Sequence, residues 1–101
     1  MTTLVLVTGE QDGGIRHRYE NIIKSLGLKP RVVYYQRKYP EFTMRSDQVI
    51  LIDTKYITHP MYYRLKVEAK RVGARVFDAR VNQSSLVQII EDYAPLALQH
   101  H

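Results

Sequence analysis

Short runs of β-branched and aliphatic residues alternate along this chain with stretches in which apolar residues recur at helical spacing. This alternation predicts strands separated by helices, the order that builds a mainly parallel sheet covered on both faces. The expected fold class is α/β, a single three-layer Rossmann-like (flavodoxin-like) domain with a mainly parallel four-stranded sheet. Because crossovers between parallel strands are right-handed, the natural strand order is 2-1-3-4.

The predicted strands are residues 3–8, 31–36, 48–53 and 74–79, and the predicted helices are residues 15–26, 58–72 and 84–93. Gly27 and Gly73 end the first two helices, and Thr58 is expected to cap the first amides of the second. The third helix is expected to end before Pro95. The connection at residues 37–47 is short for a parallel crossover and has room for about one helical turn.

Length and composition indicate one globular domain over residues 1–98, with residues 99–101 as a disordered tail or tag remnant. A chain of 101 residues is too short to be split into two halves that each bury a core. No apolar run approaches the roughly 20 residues that cross a bilayer, and the first residues carry no basic leader. A cytoplasmic location and no membrane partner are therefore expected. The absence of cysteine excludes disulfides, thiolate zinc sites and cysteine nucleophiles.

The positive charge is unevenly distributed. All 15 Lys and Arg residues lie between Arg16 and Arg80, and the formal net charge is +5. A basic body of this kind favours polyanionic partners such as nucleic acid or a nucleotide.

The predicted topology also predicts where a ligand binds. Strand one lies between strands two and three, so the chain leaves strands one and three in opposite directions. Ligands of such sheets collect at this switch point, outside the carboxyl ends of the strands. The flanking loops are residues 9–16 and 54–60, and the candidate ligand-binding residues in and near them are Gly13, Gly14, Arg16, His17, Lys55, His59, Tyr63 and Lys66. Ser84 and Ser85, after the last strand, are peripheral candidates that helix capping alone would explain.

The glycine-containing loop before the first helix lets the backbone approach a bound group, with helix amides available to an anion. It matches neither a Walker loop nor a full dinucleotide fingerprint, and glycines at such a turn are also needed for backbone geometry alone.

The second helix is predicted to have two faces. Its apolar stripe consists of Met61, Tyr62, Leu65, Ala69 and Val72. His59, Tyr63, Lys66 and Lys70 are expected on the opposite side. This second stripe is either an ordinary solvated face or, at His59 and Tyr63, part of the predicted site.

His17 and His59 begin the two helices that flank the switch point. They favour contact with an anion first, proton transfer to or from a phosphodiester second, and metal binding with Asp12 or Asp53 third. Since no metal-motif spacing is present, no metal and no cofactor are expected. Asp53 is better explained as the cap of the turn at Thr54 than as a receiver-domain acid.

Three blocks of this chain resemble the small bacterial family catalogued as domain of unknown function 2325. The blocks are Arg16-His17-Arg18-Tyr19, residues 58–73 and Ser84-Ser85-Leu86, and they span most of the chain. The resemblance implies a compact Rossmann-like domain with polar signature positions at Gly14, Arg16, His17, Tyr19, His59, Tyr63, Lys66 and Ser85. The chain differs by a longer loop before the Arg16-His17 pair and by a shorter connector at 37–47. The family name implies no activity.

Eight tyrosines interleave with basic residues, a composition suited to stacking bases while neutralising phosphates. The first hypothesis is therefore a non-catalytic module that binds RNA, single-stranded DNA or another phosphate-rich ligand. One alternative is a small-nucleotide or phosphodiester-processing site that uses His17 and His59. The other is an oligomeric protein-interaction module, for which a homodimer is one candidate assembly.

Overall fold

A computed structural model describes residues 2–9, 13–35, 39–40, 42–55, 57–79 and 86–98. The elements follow one another as β1 (Thr3–Thr8), α1 (Gly13–Ser25), β2 (Lys29–Tyr34), β3 (Gln48–Asp53), α2 (His59–Val72), β4 (Arg75–Ala79) and α3 (Leu86–Leu98). The four strands form one parallel sheet in the order β2-β1-β3-β4. The predicted fold class and strand order are confirmed.

The period-two alternation of the central strands divides their side chains between the two faces of the sheet. Leu4 and Leu6 of β1 pack with α1 and α3 on one face. Val5 and Val7 pack on the other face against α2. Because both faces are covered, every side chain of β3 is buried, as in the interior of a doubly wound sheet.

The segment between β2 and β3 forms no helix or strand in its described part, residues 35, 39–40 and 42–47. Met44 is nonetheless 4% exposed and belongs to the core beneath α2. The Arg64 guanidinium of α2 lies 4.0 Å from the ring centroid of Tyr39. The described part of this connection is therefore coil that packs against the sheet beside α2.

Strand β2 begins at Lys29, two residues earlier than predicted, and includes Pro30. Proline lacks an amide donor and is tolerated only where that donor would face away from the ladder. The amides of Lys29 and Tyr35 donate to Thr2 and Thr8 across the β1 ladder. Because successive amides of a strand point to opposite sides, the nitrogen of Pro30 faces away from β1, toward the open edge of the sheet, and no ladder bond is lost there.

Helix α3 continues through Pro95 to Leu98, so the prediction that it ends before Pro95 is wrong. Pro95 is exposed and removes only the bond to the carbonyl of Glu91. Beyond it Ala97 is fully buried, and Arg75 donates to the Leu96 carbonyl at 3.0 Å. Packing of the last turn outweighs the local cost of the proline.

The ends of α1 and α2 match the glycine prediction. Gly27 and Gly73 have φ of 85° and 81°, and the Gly73 amide donates to carbonyls in the last turn of α2. Thr58 is the N-cap residue of α2, but its side chain makes no capping bond. None of the described helices is long and apolar enough to span a membrane.

Candidate functional site

A buried hydrogen bond joins the carboxyl ends of the two central strands. The Thr8 hydroxyl of β1 donates to Asp53 Oδ2 of β3 at 2.8 Å, and both residues are almost completely buried. The Lys55 amide donates to Asp53 Oδ1 at 3.1 Å. Asp53 therefore caps the turn after β3, as predicted, and fixes the relative position of the two strands at the switch point.

Tyr35 supports the same edge from the α2 face. Its hydroxyl donates to the Asp53 carbonyl at 3.0 Å. A Cβ at Gly9 would lie 3.0 Å from Tyr35 Cε2, so glycine lets the chain leave β1 against this ring. Gly9 is therefore a packing requirement, independent of any ligand.

The candidates on α1 lie on the face of the sheet away from α2. Gly13 and Gly14 form the first turn of the helix. The Arg16 guanidinium lies 4.9 Å from the Tyr34 ring centroid and donates to the Val32 carbonyl at 3.2 Å, so it is drawn to the edge strand β2. His17 is exposed, and within the described residues its side chain makes no hydrogen bond, ion pair or ring contact.

The candidates on α2 gather around a cleft. We use the name carboxyl-edge cleft for the space of about 380 Å³ lined by Thr54, Ile57, His59, Tyr62, Tyr63 and Asp78. The rings of His59 and Tyr63 are stacked with centroids 6.4 Å apart. Tyr62 meets Tyr63 edge to face at 5.7 Å. Tyr63 is 63% exposed, so an aromatic surface borders the cleft.

Asp78 of β4 forms the polar wall of this cleft. The Tyr62 hydroxyl donates to Asp78 Oδ2 at 2.5 Å, and Lys66 Nζ donates to the same oxygen at 3.3 Å. The second carboxylate oxygen is buried and has no hydrogen-bond partner among the described residues. The carboxylate thus orders one aromatic and one basic side chain of α2 over the edge strand.

Lys66 departs from the predicted second stripe. His59, Tyr63 and Lys70 are exposed as expected, but Lys66 is half-buried and turns back to Asp78. The ion pair with Asp78 directs the side chain, and the ammonium also lies over the Tyr62 ring, 5.5 Å from its centroid.

The same contacts fix the protonation of the cluster. The hydrogen bond to Asp78, with burial and the carboxylate charge, raises the pKa of Tyr62 above its usual value. Burial alone would lower the pKa of Lys66, but the charge and hydrogen bond of Asp78 outweigh it and the pKa is raised. Near neutral pH the lysine is cationic and the tyrosine is neutral.

Sequence reasoning missed Asp78 and the polar role of Tyr62. A carboxylate at the fourth position of β4 faces α2 by strand alternation, and Tyr62 and Lys66 are four residues apart on one helix face. Those two patterns together would have predicted the contact between Asp78 and α2. The prediction would also have required knowing which face of β4 is covered by α2.

The remaining candidates are not brought to the cleft. Lys55 is exposed in the loop after β3. His17 and His59 lie on helices that cover opposite faces of the sheet. Ser84 and Ser85 fall outside the described residues, as does Asp12. In the described part of the chain no three His, Asp or Glu side chains are grouped as a metal site.

Comparisons with protein-family models, curated proteins and solved structures found no match for this chain. The resemblance to the family of unknown function therefore stays a prediction.

Proposed function

We propose that this protein binds single-stranded nucleic acid at the carboxyl edge of its sheet, with an unpaired base against Tyr63. The observation that carries the proposal is the stacked His59–Tyr63 pair, since Tyr63 keeps 63% of its surface exposed while two neighbouring rings hold it. Base–aromatic stacking contributes about 1–3 kcal/mol per base and tolerates any base.

The position of the pair on α2 supports phosphate contact beside the base. The first turn of α2 contains no acidic residue, and the Thr58 side chain caps none of its amides, of which Pro60 contributes none. A helix amino terminus with free amides attracts anions. Lys66 offsets the charge of Asp78, so the carboxylate does not make the cleft repulsive to a phosphate backbone.

Exposed cations extend the surface along the same helix. Arg64 and Lys70 are exposed, and Lys55 lies in the loop before it. In the described part of the chain neither Arg64 nor Lys70 forms an ion pair. A strand that follows α2 from His59 would meet an aromatic platform first and a basic face after it, which is the arrangement of general single-strand binders.

A protein interface is the second candidate, because Val67 is 66% exposed one helical turn after Tyr63. The two side chains form an apolar stripe on the outer face of α2. A homodimer through this stripe would depend on both residues, whereas base stacking would depend on Tyr63 far more than on Val67.

Fluorescence anisotropy of labelled single-stranded RNA and DNA tests the first proposal, with Tyr63→Ala and the matched control Val67→Ala. We expect Tyr63→Ala to weaken binding about tenfold, the control to have little effect, and affinity to fall steeply between about 50 and about 200 mM salt. Equal loss in both variants, together with a concentration-dependent mass in sedimentation, would favour the protein interface. Absence of binding at low salt would refute the nucleic-acid proposal.

A further inference from the structure

A second cleft lies at the opposite end of the sheet from the proposed nucleic-acid site. We use the name amino-edge cleft for the space of about 510 Å³ lined by Thr3, Lys29, Pro30, Arg31, Thr43, Arg45, Asp47 and Gln48. The amino ends of β1, β2 and β3 form its floor, and the coil between β2 and β3 forms its wall. Its volume is typical of a small-molecule site.

The lining is strongly basic. Lys29, Arg31 and Arg45 contribute three positive charges against the single carboxylate of Asp47, and all four side chains are exposed. None of them takes part in either of the ion pairs formed among the described residues, Lys66–Asp78 and Arg71–Glu68. The Arg31 guanidinium lies 6.0 Å from the Phe42 ring centroid, which steadies it without neutralising its charge.

Gln48 is the feature that separates this cleft from an ordinary basic surface. It is only 8% exposed, and its Oε1 accepts the Arg45 amide at 2.9 Å. Its Nε2 amide has no partner among the described residues and is the group left to offer a hydrogen bond to the cleft. A ligand acceptor at this position would therefore find a neutral donor beside the cations.

We propose that the amino-edge cleft binds the phosphate chain of a small polyphosphate. Three cations in one compact space oppose the self-repulsion of a chain with several negative charges, and guanidinium groups bind phosphate oxygens in pairs. The hydroxyls of Thr3 and Thr43 and the Gln48 amide supply neutral donors for the remaining oxygens. The chain belongs either to free inorganic polyphosphate or to a nucleotide.

Isothermal titration calorimetry with inorganic triphosphate tests this site in the full chain. The Lys29→Gln, Arg45→Gln double variant should bind about tenfold more weakly. Arg18→Gln, Lys24→Gln removes the same charge at two exposed positions of α1 that line neither cleft, and should change affinity less than about twofold. Asp47→Asn removes the opposing carboxylate and should strengthen binding. Unchanged circular dichroism of each variant shows that the fold is kept.

Equal weakening in the two double variants would overturn the proposal, because only net charge would then matter. A failure of the unmutated protein to bind inorganic triphosphate would overturn it as well. Titration with ATP separates the two sources: equal affinity indicates recognition of the phosphates alone, and higher affinity indicates a nucleotide. Because Tyr63 lies at the other edge, Tyr63→Ala should leave triphosphate binding unchanged, so this proposal and the nucleic-acid proposal fail separately.

Discussion

Replacing Thr8 by valine tests whether the buried bond to Asp53 holds the switch point together. Valine has nearly the same shape as threonine and fills the same space, but it has no hydroxyl. Asp53 Oδ2 would lose a donor at 2.8 Å in a site where Thr8 is 0% and Asp53 is 3% exposed. The Lys55 amide would remain on the other carboxylate oxygen.

The expected cost follows from the charge and burial of the acceptor. A hydrogen bond to a charged group contributes about 1.5–3 kcal/mol, and here no solvent replaces the lost donor. We therefore expect Thr8→Val to lower the free energy of unfolding by about 2 kcal/mol. For a domain of this size that corresponds to a fall in Tm of roughly 10 °C.

Urea unfolding followed by circular dichroism measures the effect, with Thr8→Ser as the matched control. Serine keeps the hydroxyl and loses one buried methyl group, which costs about 1 kcal/mol. Thr8→Val should therefore be the less stable of the two variants. A valine variant as stable as the unmutated protein, or more stable than the serine variant, would refute the structural role given to this bond.

Two further changes test the parts of the fold that sequence reasoning placed wrongly or missed. Tyr62→Phe removes a donor from Asp78 and should cost about 1 kcal/mol at neutral pH, since the carboxylate is partly exposed. Because the pKa of Tyr62 is raised in the folded protein, the stabilisation by the neutral phenol is complete below the usual pKa of 10.0 and is lost as the pH rises above that value. In alkaline urea titrations the Tyr62→Phe variant should therefore lose less stability with pH than the unmutated protein. Pro95→Ala should raise stability by about 2 kcal/mol, because the restored bond to the Glu91 carbonyl outweighs the extra freedom of the unfolded chain. A lower Tm for Pro95→Ala would show that the proline is required in α3.

The architecture was predictable because strong local signals agreed with one another. The β-branched runs gave β1 and β3 with their observed bounds, and glycines with positive φ closed α1 and α2. The errors arose where tertiary packing overrode a local rule. Pro30 is accommodated because β2 is an edge strand, and Pro95 because the turn after it is buried.

For the candidate site, the sequence allowed two predictions: the edge of the sheet at which it lies, and the aromatic pair His59 and Tyr63. Topology placed His59 and Tyr63 beside the carboxyl ends of the strands, and the structure puts both at a cleft there. The contacts of Lys66 and Arg16 could not be predicted, because each side chain is directed by a partner on a neighbouring strand. Asp78 on β4 holds the first, and Tyr34 on β2 holds the second.

Removing bases from the bound strand, in combination with Tyr63→Ala, tests base stacking at the carboxyl edge most directly. Anisotropy titrations would compare a short single strand with the same strand carrying abasic positions, for the unmutated protein and for the variant. We predict that the unmutated protein prefers the intact strand about tenfold and that Tyr63→Ala binds both strands alike. An undiminished preference in the variant would contradict stacking on Tyr63.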